Sequence, residues 1–498
     1  MSAFYNVDQP PFNMGSAARA IAAANNGLLF DPSDMSTMFQ DSTGATPVTA
    51  MEQPVGLWLD KSQGLMLGAE LVTNGDFSNG LSGWSPNKAS LAVVNGEIAV
   101  TNQTGAADEQ AEYDITASVS PNKFYKITLT GRQGTATSPA WLLFETDIIG
   151  LCDIVIVNEG KYQAILKTPA SYDFVKVRLR TQGVAGGVSY FDNISVREIY
   201  GNHATQSITA YRPVLSARKN ILLATETLAT QSVTTLAAQY TLSFTGTGSV
   251  TLSGSATGTL TGTGANDRVS FTITPTAGTL TLTVSGSVTN AQLELGASAG
   301  PYQRVNTSTD YDTNPALFPK YLKFDGIDDY MNLPYMGLYA NGSASVVVAR
   351  DELTSQSTTH SVSESSSVNN SRFYCLTRSQ PGSVNVNPLI RTDSAVDLTY
   401  ATLITGSVSP LEVRSVVDSG STLTGYKNTV RGAPASYSRA GATVTLDTTL
   451  VGALNFGGVF ADFSNMKLYG LIITKSALTD AQRIKCERFL ARKAGVML

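Results

Sequence analysis

Two histidines are all that this 498-residue chain offers for imidazole chemistry. His203 stands in GNHATQ and His360 in SQSTTHSVSESSS, and neither sits near a cysteine or an acidic cluster in the sequence. No G-x-S-x-G elbow occurs, so a serine triad has no footing. Cys152, Cys375 and Cys486 form no C-x-x-C pair. That excludes the usual zinc spacings and a disulfide framework, and it suits three unpaired thiols made in a reducing cytoplasm. Asp325, Asp328 and Asp329 in FDGIDDY are the densest acidic group on a turn, and such oxygens can hold Ca²⁺. Trp84 in GLSGWS and Trp141 in AWLLFE are candidate platforms for a sugar ring, with Tyr374, Tyr400 and Tyr426 as weaker ones. The competing reading for both tryptophans is core packing, because each lies in or beside an apolar run. No catalytic residue is assigned, no cofactor is required, and the protein is expected not to be an enzyme.

Composition narrows the partners. Charged residues make up 15% of the chain and hydrophobic ones 42%, against roughly 25% charged in an average soluble domain. The surface must therefore be built largely from Ser, Thr, Asn and Gly. Net charge is −5, and the basic tail RIKCERFLARK reads as a solvated helix face, so nucleic acid is not an expected partner. The N-terminus has neither a basic n-region nor an apolar h-region, so no Sec signal is expected. No window approaches about 20 apolar residues, so no membrane insertion is expected either.

The elements that must position these residues are mostly strands. Residues 1–27 read as an arm: QPPFN is extended, and MGSAARAIAAANNG predicts a short helix from about Gly15 to Ala24. The arm either orders against a partner or packs on its own domain. From Glu70 the chain turns to short runs bounded by Asn-Gly and Ser-Gly turns, among them KFYKITLTGRQG, AWLLFETD, GKYQAILKTPA and FVKVRLRTQG. Their spacing of about ten residues predicts a sandwich. Residues 219–304 alternate apolar with Ser/Thr, as in YTLSFTGTG and RVSFTITPTAGTLTLTVSG. Leu242 and Phe244 share one face, as do Val269, Phe271 and Ile273, and Leu280, Leu282 and Val284, which predicts a sandwich with one hydroxyl-rich face. A third β-rich region follows from Lys320. The C-terminal helix has the strongest start signal: Thr479 and Gln482 form a capping box, and Arg492, Lys493 and Gly495 close its far end.

Three segments carry a resemblance. LYGLIITKSALTDAQRIKCERFLARKAG resembles the C-terminal strand–helix of concanavalin A-like (laminin-G-like) domains of tailed-phage and other virion proteins. YLKFDGIDDYMNLP resembles an early strand pair of that family, and LFDPSDMSTMFQDSTGATPVTAMEQPVGLWLDKS a segment placed before it. In the family the phrase after WLDKS tends to run on as GNGNHATQ and an Arg-Pro element. Here GNHATQSITAYRPVL stands at Gly201–Leu215, so the intervening unit reads as an insertion. That unit resembles carbohydrate-binding-module jelly rolls, with NGDF at Asn74–Phe77 and DNISV at Asp192–Val196. Asn220 to Gly296 resembles the small jelly rolls found beside such lectin-like domains.

The resemblance implies an all-β, multi-domain jelly-roll/β-sandwich protein with a short N-terminal helical arm and a C-terminal helix. The expected organisation is an anchoring arm at 1–27 and a first lectin-like segment at 28–63. An inserted jelly roll takes 64–200, and the lectin-like fold returns at 201–218. A second small sandwich occupies 219–304, and the main concanavalin A-like sandwich occupies 305–498. It implies Asp76 and Asp192 as the acidic pair of a structural Ca²⁺ site at the two ends of the jelly roll. It makes Asp325 and Gly326 a strand-end turn. Concanavalin A-like glucanases carry Glu-x-Asp-x-Glu or a bulged form on one strand; the nearest segment here is EYDITAS from Glu112, with Thr116 and Ala117 where a second glutamate would fall. The expected function is a structural virion component, a tail fibre or spike-type adhesin that contacts host surface glycans. The alternative is a head-decoration, collar or baseplate-peripheral protein without a glycan ligand. Its expected partners are other virion proteins through the arm, host glycans, and further copies of itself in a homo-oligomer. Its expected location is the virion, reached by host lysis.

Overall fold

Two large hydrophobic cores organise the chain, one around Phe30, Trp58 and Phe324, the other around Trp84, Phe144 and Phe191. The computed structural model describes residues 14–147, 150–352, 360–369, 371–376, 390–391, 411–436 and 446–498. The chain divides into two compact units. One comprises Met1–Met38, Val48–Ser62 and Asn202–Leu498; the other comprises Phe39–Pro47 and Gln63–Gly201.

The first unit is a sandwich of a nine-stranded and an eight-stranded antiparallel sheet. Its central strand, Asn465–Thr474, is buried on both faces. Met466, Leu468, Leu471 and Ile473 enter the sandwich core, while Tyr469 and Ile472 face the helices. The step from Leu468 to Leu471 is a bulge: the neighbouring strand Ala344–Glu352 shifts register there, pairing Ala349 with Gly470 and Arg350 with Leu468. Leu28–Phe30 adds to the same strand, with Leu28 opposite Ile473.

Helix α1 (Met14–Ala24) and helix α2 (Asp480–Ala494) lie on the outer face of the nine-stranded sheet, where Ala18, Ala22, Cys486, Phe489 and Leu490 share a core with Tyr469 and Ile472. The α2 capping box forms between Thr479 and Gln482, and Gly495 ends the helix in the left-handed region at φ 74°. Over Met14–Ala24 the chain takes the second of the two forms expected of the arm, a short helix packed on its own unit. Its alanine face, Ala18 and Ala22, is buried on its own unit; residues 1–13 lie outside the described residues. Cys486 is a free, buried thiol whose pKa burial pushes up to about 12, which leaves it unreactive.

Residues 219–304 fold as a small sandwich of a four-stranded and a three-stranded sheet. Leu242, Phe244, Leu280 and Leu282 fill its core, with Val269, Phe271 and Val284 at the margin. Thr–Thr and Ser–Thr hydroxyl pairs, such as Ser232–Thr281 and Thr251–Thr259, ladder its outer faces. Buried Gln303 ties both ends of this sandwich: it accepts from the Lys219 and Asn220 amides and donates to the Ala217 and Asp312 carbonyls.

The chain leaves the first unit after Ser62 and returns at Asn202, and one carboxylate holds both ends. Asp60 is fully buried. Its Oδ1 accepts from the Leu29 and Ser62 amides at 2.8 Å each, and its Oδ2 accepts from the Asn202 amide at 2.8 Å and the Ser62 hydroxyl at 2.9 Å. The Asp60 amide donates to His203 Nδ1 at 2.9 Å. Leu57–Trp58 pairs with Ala204–Thr205 just beyond the joint.

The second unit is a jelly-roll-like sandwich of ten strands. They are β1 (Trp84–Asn87), β2 (Ser90–Val94), β3 (Glu97–Thr101), β4 (Glu109–Asp114), β5 (Phe124–Gln133), β6 (Ala140–Thr146), β7 (Gly150–Ile156), β8 (Gly160–Lys167), β9 (Val175–Thr181) and β10 (Val188–Glu198). One sheet has the order β7-β6-β9-β4-β1 and the other β8-β5-β10-β3-β2. Strict alternation sets the faces: Val175, Val177 and Leu179 point into the core, and Lys176, Arg178 and Arg180 point out. The molecule is thus an all-β, multi-sheet protein with two helices among the described residues.

Candidate functional site

The outward face of the β7-β6-β9-β4-β1 sheet gathers the chemistry of the second unit. Cross-strand register lines up Val155, Trp141, Arg180, Gln110 and Asn87 in one row across five strands. The next row holds Asp153, Leu143, Arg178, Glu112 and Ser85. At about 4.8 Å per strand the rows span roughly 19 Å.

Of the three tryptophans, Trp58 and Trp84 are buried, and Trp141 alone is half-buried. It stands on the outward face because Leu142 and Phe144, its alternating neighbours in β6, take the core side. Its indole N–H is buried and has no hydrogen-bond partner among the described residues. Val155 beside it is 39% exposed.

The groups around it form a fixed polar network. Glu112 accepts from Lys176 at 2.8 Å, from Asn87 at 2.8 Å and from Gln110 at 3.0 Å, and Arg178 Nε lies 3.0 Å away. Burial opposes the charge on Glu112, yet these bonds from Lys176, Asn87 and Gln110, together with the Arg178 charge, bring its carboxyl down to about 2. Arg178 also pairs with Glu145, and Arg180 Nε donates to Gln110 Oε1 at 2.9 Å. These side chains are held in place before any ligand arrives, which lowers the ordering cost of binding. Such a face can stack one ring on Trp141, with the part-exposed Arg178 and Arg180 as the donors beside it, since Gln110 and Glu112 are themselves buried. Glu112 stays ionised over the physiological range, so it cannot donate a proton as a glycosidase acid must.

The other sequence candidates lie elsewhere. Trp84 is a core residue and is corrected as a platform: it is 6% exposed, its Nε1 donates to the Asn74 carbonyl at 3.1 Å, and its ring packs on Phe77 and Tyr113. Tyr426 is corrected likewise, being 6% exposed with the Arg483 guanidinium 3.6 Å above its ring. Tyr374 falls on the strand Arg372–Leu376, but its side chain lies outside the described residues, as does all of Tyr400.

Asp76 is exposed and accepts from the Ser78 amide and hydroxyl. Asp192 accepts from the Asn193 amide and side chain at 2.7 Å each. Burial raises the Asp192 pKa despite the Asn193 bond, and Glu97 and Asp76 add to the rise. The two carboxylates that a calcium ion would use thus feel one another's charge, but both are taken up by local donors. Among the described residues no third acidic ligand completes the pair. The one such triplet is Asp325, Asp328 and Asp329, whose oxygens lie within 4.8 Å of one another. Burial and the Asp325 charge raise Asp329 to about 7, although the Asp325 amide donates to it. Both histidines are buried, with His360 Nε2 3.3 Å from Asp462.

Sequence reasoning missed the network around Trp141. FVKVRLRTQG carried its signal, since Lys176, Arg178 and Arg180 alternate with core valines and leucine, but nothing local pairs them with Glu112 and Gln110.

Comparison with known proteins adds structural neighbours that are carbohydrate-binding modules. The chain is similar to the CBM22-1 xylan-binding domain of Paenibacillus barcinonensis Xyn10C, with 15% identity over 27% of this chain and 97% of that one and a TM-score of 0.23. It is similar to the CBM40 of the Ruminococcus gnavus IT-sialidase, with 13% identity over 34% of this chain and 96% of that one and a TM-score of 0.27. A family 16 carbohydrate-binding module shows 15% identity over 25% of this chain and 98% of its own length, at a TM-score of 0.21. No family model and no curated protein matches. At these identities and TM-scores the likenesses assign no ligand to this chain.

Proposed function

We propose that the protein is a non-catalytic glycan-binding component of a tailed-phage virion, a fibre or spike-type adhesin. The carrying observation is Trp141, half-buried on an outward sheet face and flanked by the ordered side chains of Arg180, Gln110, Arg178 and Glu112. An aromatic face supplies contact area at low conformational cost, and the fixed donors and acceptors orient sugar hydroxyls. The virion setting rests on the likeness of WLDKS…GNHATQ, YLKFDGIDDYMNLP and the C-terminal strand–helix to segments of phage virion proteins. Weak single sites would be multiplied by copy number in a homo-oligomer on the particle.

The test is a glycan array probed with the full chain, followed by titration of any hit against Trp141→Ala and Arg180→Ala. Binding that falls at least tenfold in Trp141→Ala, with folding unchanged by circular dichroism, supports the proposal. Silence across the array, or binding indifferent to both substitutions, overturns it. Localisation by antibody labelling on intact particles separates a tail adhesin from a head-decoration protein.

A further inference from the structure

The opposite sheet of the same unit carries a second recessed surface that the Trp141 face does not use. A groove of about 590 Å³ lies over β5, β8 and β10, lined by the polar Thr128, Thr130, Lys161, Gln163 and Asn193 together with Leu129 and Tyr162. Its size falls within the range of about 300–1,000 Å³ typical of small-ligand sites. Register sets its floor in two pairs, Gln163 beside Thr128 and Lys161 beside Thr130, with Ser195 and Asp192 continuing these rows on β10 beyond the groove. Ile127, Leu129 and Val196 alternate with these into the core, so the polar set is fixed to one face by the strand period.

A bulge adds the groove's wall. The pairing of β10 with β5 shifts between Asp192 and Ser195. Asn193 there takes the left-handed conformation at φ 52° and is exposed. Its amide side chain reaches Thr130 Oγ1 at 3.4 Å. The bulge is locked from below: the Ile194 amide donates to the Gly75 carbonyl at 2.9 Å, and a Cβ on Gly75 would meet the Ile194 oxygen at 1.9 Å. Bulges re-aim side chains beside binding sites, and a non-glycine residue at positive φ is strain held by its surroundings.

The groove's chemistry limits its ligand. The side chains of Thr128, Lys161 and Gln163 have no hydrogen-bond or ion-pair partner among the described residues. Hydroxyls and amides both donate and accept, which matches ligand groups that do the same. Tyr162 borders the groove half-buried, its ring packed against the core and its hydroxyl donating to the Asn158 carbonyl. A single ammonium is too little for a phosphate cluster. We infer that this groove is a second saccharide-binding site, one that reads sugar hydroxyls by hydrogen bonds from Thr128, Lys161 and Gln163. The inference goes beyond the Trp141 face and stands on different residues.

The test uses the full chain labelled at threonine methyl groups, titrated separately with cellohexaose, maltohexaose and hexagalacturonate. Saturable shifts of the Thr128 and Thr130 methyls with at least one probe are expected. Gln163→Ala should weaken that probe's binding roughly tenfold, and Trp141→Ala should leave the methyl shifts in place. Lack of shift with all three probes overturns the inference. So do shifts that vanish in Trp141→Ala, since they would then report the other sheet. Loss of array binding in Trp141→Ala with no methyl shift would keep the first proposal and remove this one.

Discussion

Replacing Asp60 by alanine tests the joint at which the chain leaves and re-enters its first unit. The carboxylate is fully buried and accepts four hydrogen bonds, three of them from backbone amides. Alanine leaves the Leu29, Ser62 and Asn202 N–H groups without an acceptor. An orphaned buried donor costs about 1–3 kcal/mol, so three cost roughly 6 kcal/mol. Removing the carboxylate recovers part of that, since burial raises the Asp60 pKa above the ordinary value against all four bonds. Desolvation relief of about 2–3 kcal/mol leaves a net loss of about 3 kcal/mol. The assay is native-state hydrogen exchange read by mass spectrometry on the full chain. Peptides covering Leu28–Phe30 and Leu57–Trp58 should exchange roughly 150-fold faster, the equivalent of about 3 kcal/mol. Peptides from β5 and β9 should keep their protection, because every Asp60 bond lies within the first unit. Asp60→Asn should fall between wild type and alanine: it keeps one acceptor oxygen but turns an N–H₂ toward donors. A loss below about 1 kcal/mol in Asp60→Ala, or equal loss in both units, would refute the reasoning.

Two further outcomes follow from the second unit. The Glu112 carboxyl sits at about 2 against an ordinary 4.5. A depressed acid contributes stability that is present above the ordinary value and is lost as pH falls from about 4.5 toward 2. Glu112→Gln should therefore lower the unfolding free energy of this unit by about 2 kcal/mol at pH 7 and flatten its dependence between those pH values, as measured by urea melts at stepped pH. An unchanged acid limb would show that Lys176 and Arg178 do not hold the charge. Gly75→Ala must push the Ile194 carbonyl away, since its Cβ would lie 1.9 Å from that oxygen. It should destabilise the unit by about 2 kcal/mol or more and move the Thr130 methyl resonance, because the Asn193 bulge rests on Gly75. A shift confined to residues 70–80 would show that the bulge holds by itself.

Much of the fold was legible because burial has a period. The alternation in VKVRLRT by itself separates Val175, Val177 and Leu179 from Lys176, Arg178 and Arg180, and the register of β9 leaves that division intact. The Thr479–Gln482 capping box and Gly495 likewise set both ends of α2 by local hydrogen bonding. The tryptophans were less legible. Trp84 and Trp141 each sit beside apolar residues, and a strand offers only two faces, one residue apart. The Asn74 carbonyl holds Trp84 inward, whereas Leu142 and Phe144 take the core side of β6 and leave Trp141 outward. The arm was ambiguous for a related reason: an alanine-rich helix can bury its face on any apolar neighbour, and here that neighbour is α2 with the outer face of the long sheet.

By itself the sequence determined the strand-rich class, the turns, the direction of each alternating face and the caps of the last helix. All of these depend on neighbours within a few residues. Only the tertiary structure decided what lies across from what. The Asp60 carboxylate joins Ser62 to Asn202, the Glu112 carboxylate collects Asn87, Gln110 and Lys176, and Gly75 props the bulge at Asn193. Each of these contacts joins groups that depend on strand pairing and chain return rather than on local propensity. Their partners are chosen by register and burial, which a chain acquires only once it is folded.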